Sequence, residues 1–212
     1  MLVPELPALA LTGSRIGVIG PAAHFSLKAL QASGVAVEVV ADVAATDLTA
    51  FRALVLGADV LGRKELKFTE SAARLDAFVR GGGRLVLIQV NDEHWDSDLL
   101  PLRLWVQDDN GTAAEILDPA HPLFAGVGSI KGTVCFDTLR WAGPEWTVLA
   151  KDDAGRPAVL EAHRGQGAVL VIEPSFDRWA VPPGEDVGLP TETCQQFLRN
   201  LAAWLATPLP PG

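Results

Sequence analysis

Arg84-Leu85-Val86-Leu87-Ile88-Gln89-Val90, entered through Gly81-Gly82-Gly83 and left through Asn91-Asp92, decides the fold. The run is almost wholly apolar and too short for a helix of ordinary length. Such a segment reads as a strand covered on both faces, which is the situation in the middle of a parallel sheet. The text before it agrees. Ala72, Leu75 and Val79 fall on one face at three- and four-residue steps, and Arg80-Gly81 ends that helix. Ala53-Leu54-Val55-Leu56-Gly57 is an earlier strand, and Val35 to Val40 another. Arg15 to Gly20 is the first, running into Gly20-Pro21. Between the first two, Phe25, Leu27, Leu30 and Ala32 predict a helix that stops at Ser33-Gly34, where glycine takes a left-handed cap.

Strands alternating with helices call for parallel, right-handed crossovers. The second half changes character. Trp146 to Ala150 and Pro157 to Glu161 are strand-like and joined through Asp153-Ala154-Gly155, a hairpin connection. Arg164-Gly165-Gln166-Gly167 turns into a further strand, Ala168 to Glu173. A closing helix is marked by Thr193 and Gln196 at capping-box spacing and by Phe197, Leu201, Trp204 and Leu205 on one face. The expected architecture is α/β: an open, mostly parallel flavodoxin-like sheet with helices on both faces and an antiparallel β-hairpin extension in the second half. Residues 1–13 read as a linker-like segment, 14–206 as the domain, and 207–212 as a Pro-rich tail.

This order of phrases resembles a known group. "FRALVLGADV" followed by a helix and "FVRGGGRLVLIQV" is similar to the core of the class I glutamine amidotransferase-like superfamily. The later "HPLFAGV", "WTVLAKDDAGRPAVLEAHRGQGAVLVIEPSFDRW" and "FLRNLAAWLA" resemble one branch of it. That branch includes trehalose-utilisation-type proteins and the non-catalytic middle domain of bacterial β-galactosidases. The resemblance implies that working members carry a cysteine on a tight turn after the central strand. It also implies a His-x-Glu after the last strand, to activate the sulfur. In this chain Asn91-Asp92-Glu93-His94-Trp95 is expected at the turn, with no Cys or Ser. Glu173-Pro174-Ser175-Phe176-Asp177-Arg178 stands where His-x-Glu belongs. Cys135 and Cys194 are mid-chain and in the final helix. Amidotransferase chemistry is therefore expected to be absent, and the chain to be a pseudoenzyme.

Ligands of open α/β sheets gather beyond the carboxyl ends of the strands. The residues expected there are His24, Asp59, Asn91, Asp92, Trp95, Ser175, Arg178 and Trp179, a set of polar groups and rings suited to a small molecule or a sugar. The leading expectation is a non-catalytic domain serving assembly or small-molecule binding, associated with carbohydrate metabolism, as a homo-oligomer or as the companion domain of a larger enzyme. The alternative is a hydrolase on a small sugar-like substrate, with Asp177 or Glu93 as general acid/base and His94 as partner. No metal is expected: Asp92 and His94 are one residue apart and face opposite ways in an extended segment. His121, between prolines, is expected to stabilise a turn. The tryptophans are expected mostly in the core or at sheet edges, with Trp95 and Trp179 as exceptions.

Composition removes several classes. Of 212 residues, 49% are hydrophobic and 20% charged, a globular balance. A net charge of -9 with no basic run longer than two residues argues against a nucleic-acid track. No phosphate loop or G-x-G-x-x-G is present, so no nucleotide cofactor is expected. The apolar runs are far short of a membrane span. A cytoplasmic protein without membrane association is the expectation.

Overall fold

The computed structural model describes residues 7–20, 25–57, 68–90, 102–107, 109–176 and 191–207. Eleven strands and three α-helices occur among them. In chain order they are β1 (Arg15–Ile19), α1 (Phe25–Ala32), β2 (Val37–Val40), β3 (Phe51–Leu56), α2 (Phe68–Arg80), β4 (Arg84–Ile88), β5 (Leu104–Gln107), β6 (Gly111–Ile116), β7 (Val134–Cys135), β8 (Thr138–Ala142), β9 (Thr147–Asp152), β10 (Pro157–Arg164), β11 (Gly167–Ile172) and α3 (Thr191–Ala206).

Nine strands form one sheet in the order β2-β1-β3-β4-β11-β10-β9-β6-β7. From β2 to β11 every pairing is parallel. Beyond β11 each described pairing is antiparallel. The sheet is thus mixed, and parallel only in its first half. The expected hairpin extension is larger than anticipated: it supplies four strands, not a two-stranded appendage. The parallel half runs 2-1-3-4, the order of doubly wound sheets. β4 and β11 lie at its centre with every residue buried, as the apolar runs require.

Layers cover both faces. One face packs Leu27 and Leu30 of α1 and Phe197, Leu201 and Leu205 of α3 against Ile16, Val18, Val55, Val86 and Leu170. On the other, Leu75, Phe78 and Val79 of α2 meet Leu54, Leu85, Leu87 and Val169. A separate two-stranded ribbon, β5 with β8, turns Leu104, Val106 and Leu139 into this second core. Alternation along these short strands is the cause: Leu104 and Val106 point in, and Trp105 between them points out.

Local signals were read with mixed success. Gly34 caps α1 at φ 86, as expected. The last helix begins at Thr191, so Thr193 and Gln196 lie inside it and form no capping box. Gln196 and Asn200 instead donate to the carbonyl of Ala125, and Asn200 also to that of Leu123. These bonds strap the irregular segment after β6 onto α3. His121 stabilises that segment as expected: its Nδ1 accepts the Leu123 amide at the start of a 3-10 turn. Phe176 stacks on Phe197 of α3 with ring centroids 3.9 Å apart. That contact fixes the chain leaving β11, and with it the segment Glu173–Ser175.

Candidate functional site

The carboxyl ends of the parallel strands gather on one edge, where β4 and β11 stop side by side. β4 ends at Ile88. Gln89 follows at φ 54, in the left-handed region that a non-glycine residue enters at a cost of about 1–2 kcal/mol. This is the tight turn after the central strand, and it falls two residues earlier than Asn91, where the sequence placed it. The run Arg84 to Val90 was read as continuous strand because a lone glutamine does not interrupt an apolar pattern. The residue on the strained turn is an amide, neither thiol nor hydroxyl.

Three contacts hold Gln89 there. Its backbone amide donates to the carbonyl of Ile172 at 2.8 Å, continuing the β4–β11 ladder. Its side-chain Nε2 donates to the hydroxyl of Ser175. The amide of Val90 donates to Oε1 of Glu173 at 3.2 Å. Ser175 is engaged again, its hydroxyl donating to the carbonyl of Val134 at 2.9 Å. A serine whose proton lies on a carbonyl, with no described base beside it, is no nucleophile. Positive φ in a bulky residue persists when its surroundings over-determine it, and here they do.

Glu173 carries the electrostatics of this edge. Its carboxyl is wholly buried, and burial pushes its pKa well above the ordinary 4.5. The Val90 amide pulls the other way, and the nearby Asp137, itself at φ 52, adds like charge. The neutral acid is thus favoured, as for any carboxyl removed from water without a cation. Its Oε2 and the Oε1 of Gln89 have no hydrogen-bond partner among the described residues. The edge therefore presents an amide, a neutral carboxyl and a committed hydroxyl. It can accept and donate hydrogen bonds, and it holds no attacking group.

Neither cysteine repairs this. Cys135 is buried in β7, bridged to Pro174, with its sulfur directed at the carbonyl of Thr133. Burial, with Glu173, Asp152 and Asp153 adding negative charge, pushes its thiol pKa far up. Cys194 is buried in α3. The described histidines sit elsewhere: His121 and His163 flank Glu161 of β10 with Nε2–Oε2 distances of 3.5 and 3.7 Å. Among the described residues no group of three or more His, Cys, Asp or Glu is disposed to hold a metal ion.

Of the residues expected at this edge, Ser175 is placed there, joined to Gln89. His24, Asp59, Asn91, Asp92, Glu93, His94, Trp95, Asp177, Arg178 and Trp179 lie outside the described residues. Sequence reasoning missed Gln89 and gave Glu173 no role. The signal was faint but present: each is the polar residue that closes an apolar strand, Gln89 after β4 and Glu173 after β11.

No protein-family model and no curated protein matches the sequence. Solved structures match in fold. A cytoplasmic protein of Salmonella typhimurium LT2 superposes with a TM-score of 0.62 at 15% identity, over 90% of this chain and 99% of that one. A putative GMP synthase protein from Thermoplasma acidophilum gives 0.61 at 14% identity, over 92% and 95%. A cold-adapted beta-galactosidase from Rahnella sp. R3 gives 0.58 at 18%, over 92% of this chain but 31% of that one. At such identities the fold is what is shared. It is the class I glutamine amidotransferase-like fold, in a form that also occurs as one part of bacterial β-galactosidases. No described helix is long and apolar enough to cross a membrane.

Proposed function

We propose that this chain is a non-catalytic glutamine amidotransferase-like domain, spanning residues 14–206, that serves assembly or small-molecule binding alongside carbohydrate-active enzymes. One observation carries the reading. The strained turn after the central strand holds Gln89, whose side chain is spent on Ser175 while the neighbouring Val90 amide is spent on Glu173. An acyl-transfer site needs a nucleophile, a base within hydrogen-bond reach and free donors for the oxyanion. Here the nucleophile is missing and the first donor is occupied by a buried acid. Support for the carbohydrate setting is the likeness to part of a beta-galactosidase and to part of an exo-beta-1,4-mannosidase. A companion-domain role fits a fold that recurs inside longer chains.

The test is chemical. Incubating the full chain with glutamine should release no ammonia, and 6-diazo-5-oxo-norleucine, which alkylates the nucleophile of glutamine-hydrolysing sites, should leave its mass unchanged. An adduct on Cys135 or Cys194, or turnover of glutamine, ends the proposal. Light scattering of the full chain, alone and with a candidate companion enzyme, measures the assembly role; a strict monomer that binds neither companion nor glycan removes it.

A further inference from the structure

The ribbon β5–β8 carries a feature that neither the fold nor the strand-edge site uses. Trp105 and Trp141 are direct cross-strand partners on its outward face. They are 57% and 46% exposed, although tryptophan is seldom left in water. The expectation of core or sheet-edge tryptophans holds for Trp146 and Trp204, which are buried, and fails for this pair. Directly opposed residues on one face stand roughly 5 Å apart at Cβ, so the two indoles form one ledge.

Two arginines frame it, each over the ring of the other strand's tryptophan. Arg140 lies 5.1 Å from the Trp105 ring and Arg103 lies 5.7 Å from that of Trp141. Arg140 is outward because the ladder shifts between Trp105 and Val106, leaving it as the extra residue of a bulge. Arg103 is held by Glu145, which accepts from its backbone amide and its guanidinium. The side-chain bond from Arg103, partly offset by burial, keeps the Glu145 carboxyl ionised, down to about 2. Arg140, by contrast, makes no hydrogen bond or ion pair among the described residues, so its guanidinium donors face solvent.

The size of the ledge selects the partner. A tryptophan buries 150–250 Å² when covered, so two half-exposed indoles offer roughly 200 Å². A stable protein interface needs about 800 Å² from each side. The other large apolar side chains exposed among the described residues, Val39 and Leu117, belong to β2 and to the segment after β6. A second copy of this chain or another protein would find too little apolar surface. A sugar ring would not: its flat C–H face stacks on an indole while its hydroxyls take donors and acceptors from the rim. Charge makes the choice narrower. In a chain of net charge -9, an unpaired guanidinium beside the rings is complementary to a carboxylate, which it grips with two parallel hydrogen bonds.

We infer that the Trp105–Trp141 ledge binds an oligosaccharide carrying carboxylate groups, with pyranose rings stacked on the indoles and a uronate paired with Arg140. This rests on the binding arm of the proposed function and supplies its ligand class and surface. It does not involve the Gln89 edge, so the glutamine experiment and this one fail separately.

Calorimetric titration of the full chain with tetragalacturonate, cellotetraose and a short poly-glutamate peptide tests it. Saturable binding of tetragalacturonate is expected, with cellotetraose weaker and poly-glutamate weaker still. Trp105→Ala and Trp141→Ala should each weaken it about tenfold or more, as for a central aromatic anchor. Arg140→Gln should erase the preference for the acidic over the neutral sugar. All three positions are exposed, and far-UV circular dichroism confirms that the variants fold. Absence of binding at millimolar sugar overturns the inference. So does affinity untouched by both tryptophan substitutions, equal binding of both sugars in the parent chain, or poly-glutamate binding as tightly as the uronate.

Discussion

Replacing Glu173 by glutamine should make the protein more stable as pH rises, and the size of the gain follows from the site. The unfolded chain gives up this proton near the ordinary 4.5, whereas the folded chain, with the carboxyl buried, holds it to well above that value. Above 4.5 the folded state therefore binds more protons than the unfolded state, and stability must fall with pH until the buried group itself ionises. The loss approaches ~1.4 kcal/mol per pH unit for a single proton, so two units across that window cost about 3 kcal/mol at most. Glutamine keeps an oxygen for the Val90 amide and has no proton to lose. Its NH₂ sits where Oε2 has no described partner, but that penalty is the same at every pH. Urea unfolding of both proteins, followed by circular dichroism between about pH 5 and pH 8, reads the difference. The gap between variant and parent should widen with pH by roughly 1–3 kcal/mol in the variant's favour. Parallel profiles would mean that Glu173 is ionised in the fold, and the account of the strand edge as uncharged would be wrong.

Four further perturbations probe the elements that hold the site. Gln89→Val puts a β-branched side chain at positive φ and strips Ser175 of a donor, so urea unfolding should show a loss of about 2 kcal/mol. Gly167→Ala would place a Cβ 2.1 Å from the carbonyl of Val79 and 2.2 Å from that of Gly83; prising α2 from β11 should cost about 3 kcal/mol and lower the thermal midpoint. Asp76 accepts from Arg80 Nε at 2.7 Å and from Arg164 Nε at 2.5 Å, tying α2 to the β10–β11 hairpin. Asp76→Ala leaves two half-buried cations unpaired and should cost about 2–3 kcal/mol by the same measure. Burial pulls the Glu161 carboxyl upward, but His121, His163 and Arg84 outweigh it and leave the pKa lowered; its stabilisation is full above the unfolded value and is lost as pH falls through the folded one. Glu161→Gln should thus be about 1 kcal/mol less stable than the parent near pH 6, and the difference should vanish in acid.

The parallel half of the fold was legible because its physics is local. Leu85 to Ile88 and Ala168 to Ile172 are apolar at every position, and burial on both faces leaves little choice but a central parallel strand. Gly34 and the α2 stripe are equally plain. The antiparallel half was harder for a physical reason. β5, β7 and β8 are two to five residues long and half exposed, so neither a period of two nor a continuous run has room to appear. Thr193 was mistaken for a cap because Thr-x-x-Gln also arises inside a helix, and only the segment folded against α3 shows what Gln196 bonds to.

The site was legible in what it lacks more than in what it holds. The absence of Cys or Ser after the central strand could be read from the letters Gln89 through Trp95, whichever of them stands on the turn. That Gln89 stands there depends on where the ladder with β11 ends, and a ladder is set by a partner strand some eighty residues away. Glu173 is the same case. An acid after an apolar strand looks like the first solvated residue of a loop. It is buried because Pro174 bridges to Cys135 and Phe176 stacks on α3, contacts that close the chain over it. A left-handed glutamine, a buried neutral acid and a committed serine each disfavour folding when taken singly. Joined through two hydrogen bonds they offset one another, so the strand edge keeps the geometry of a reactive turn while the groups upon it are bound to each other.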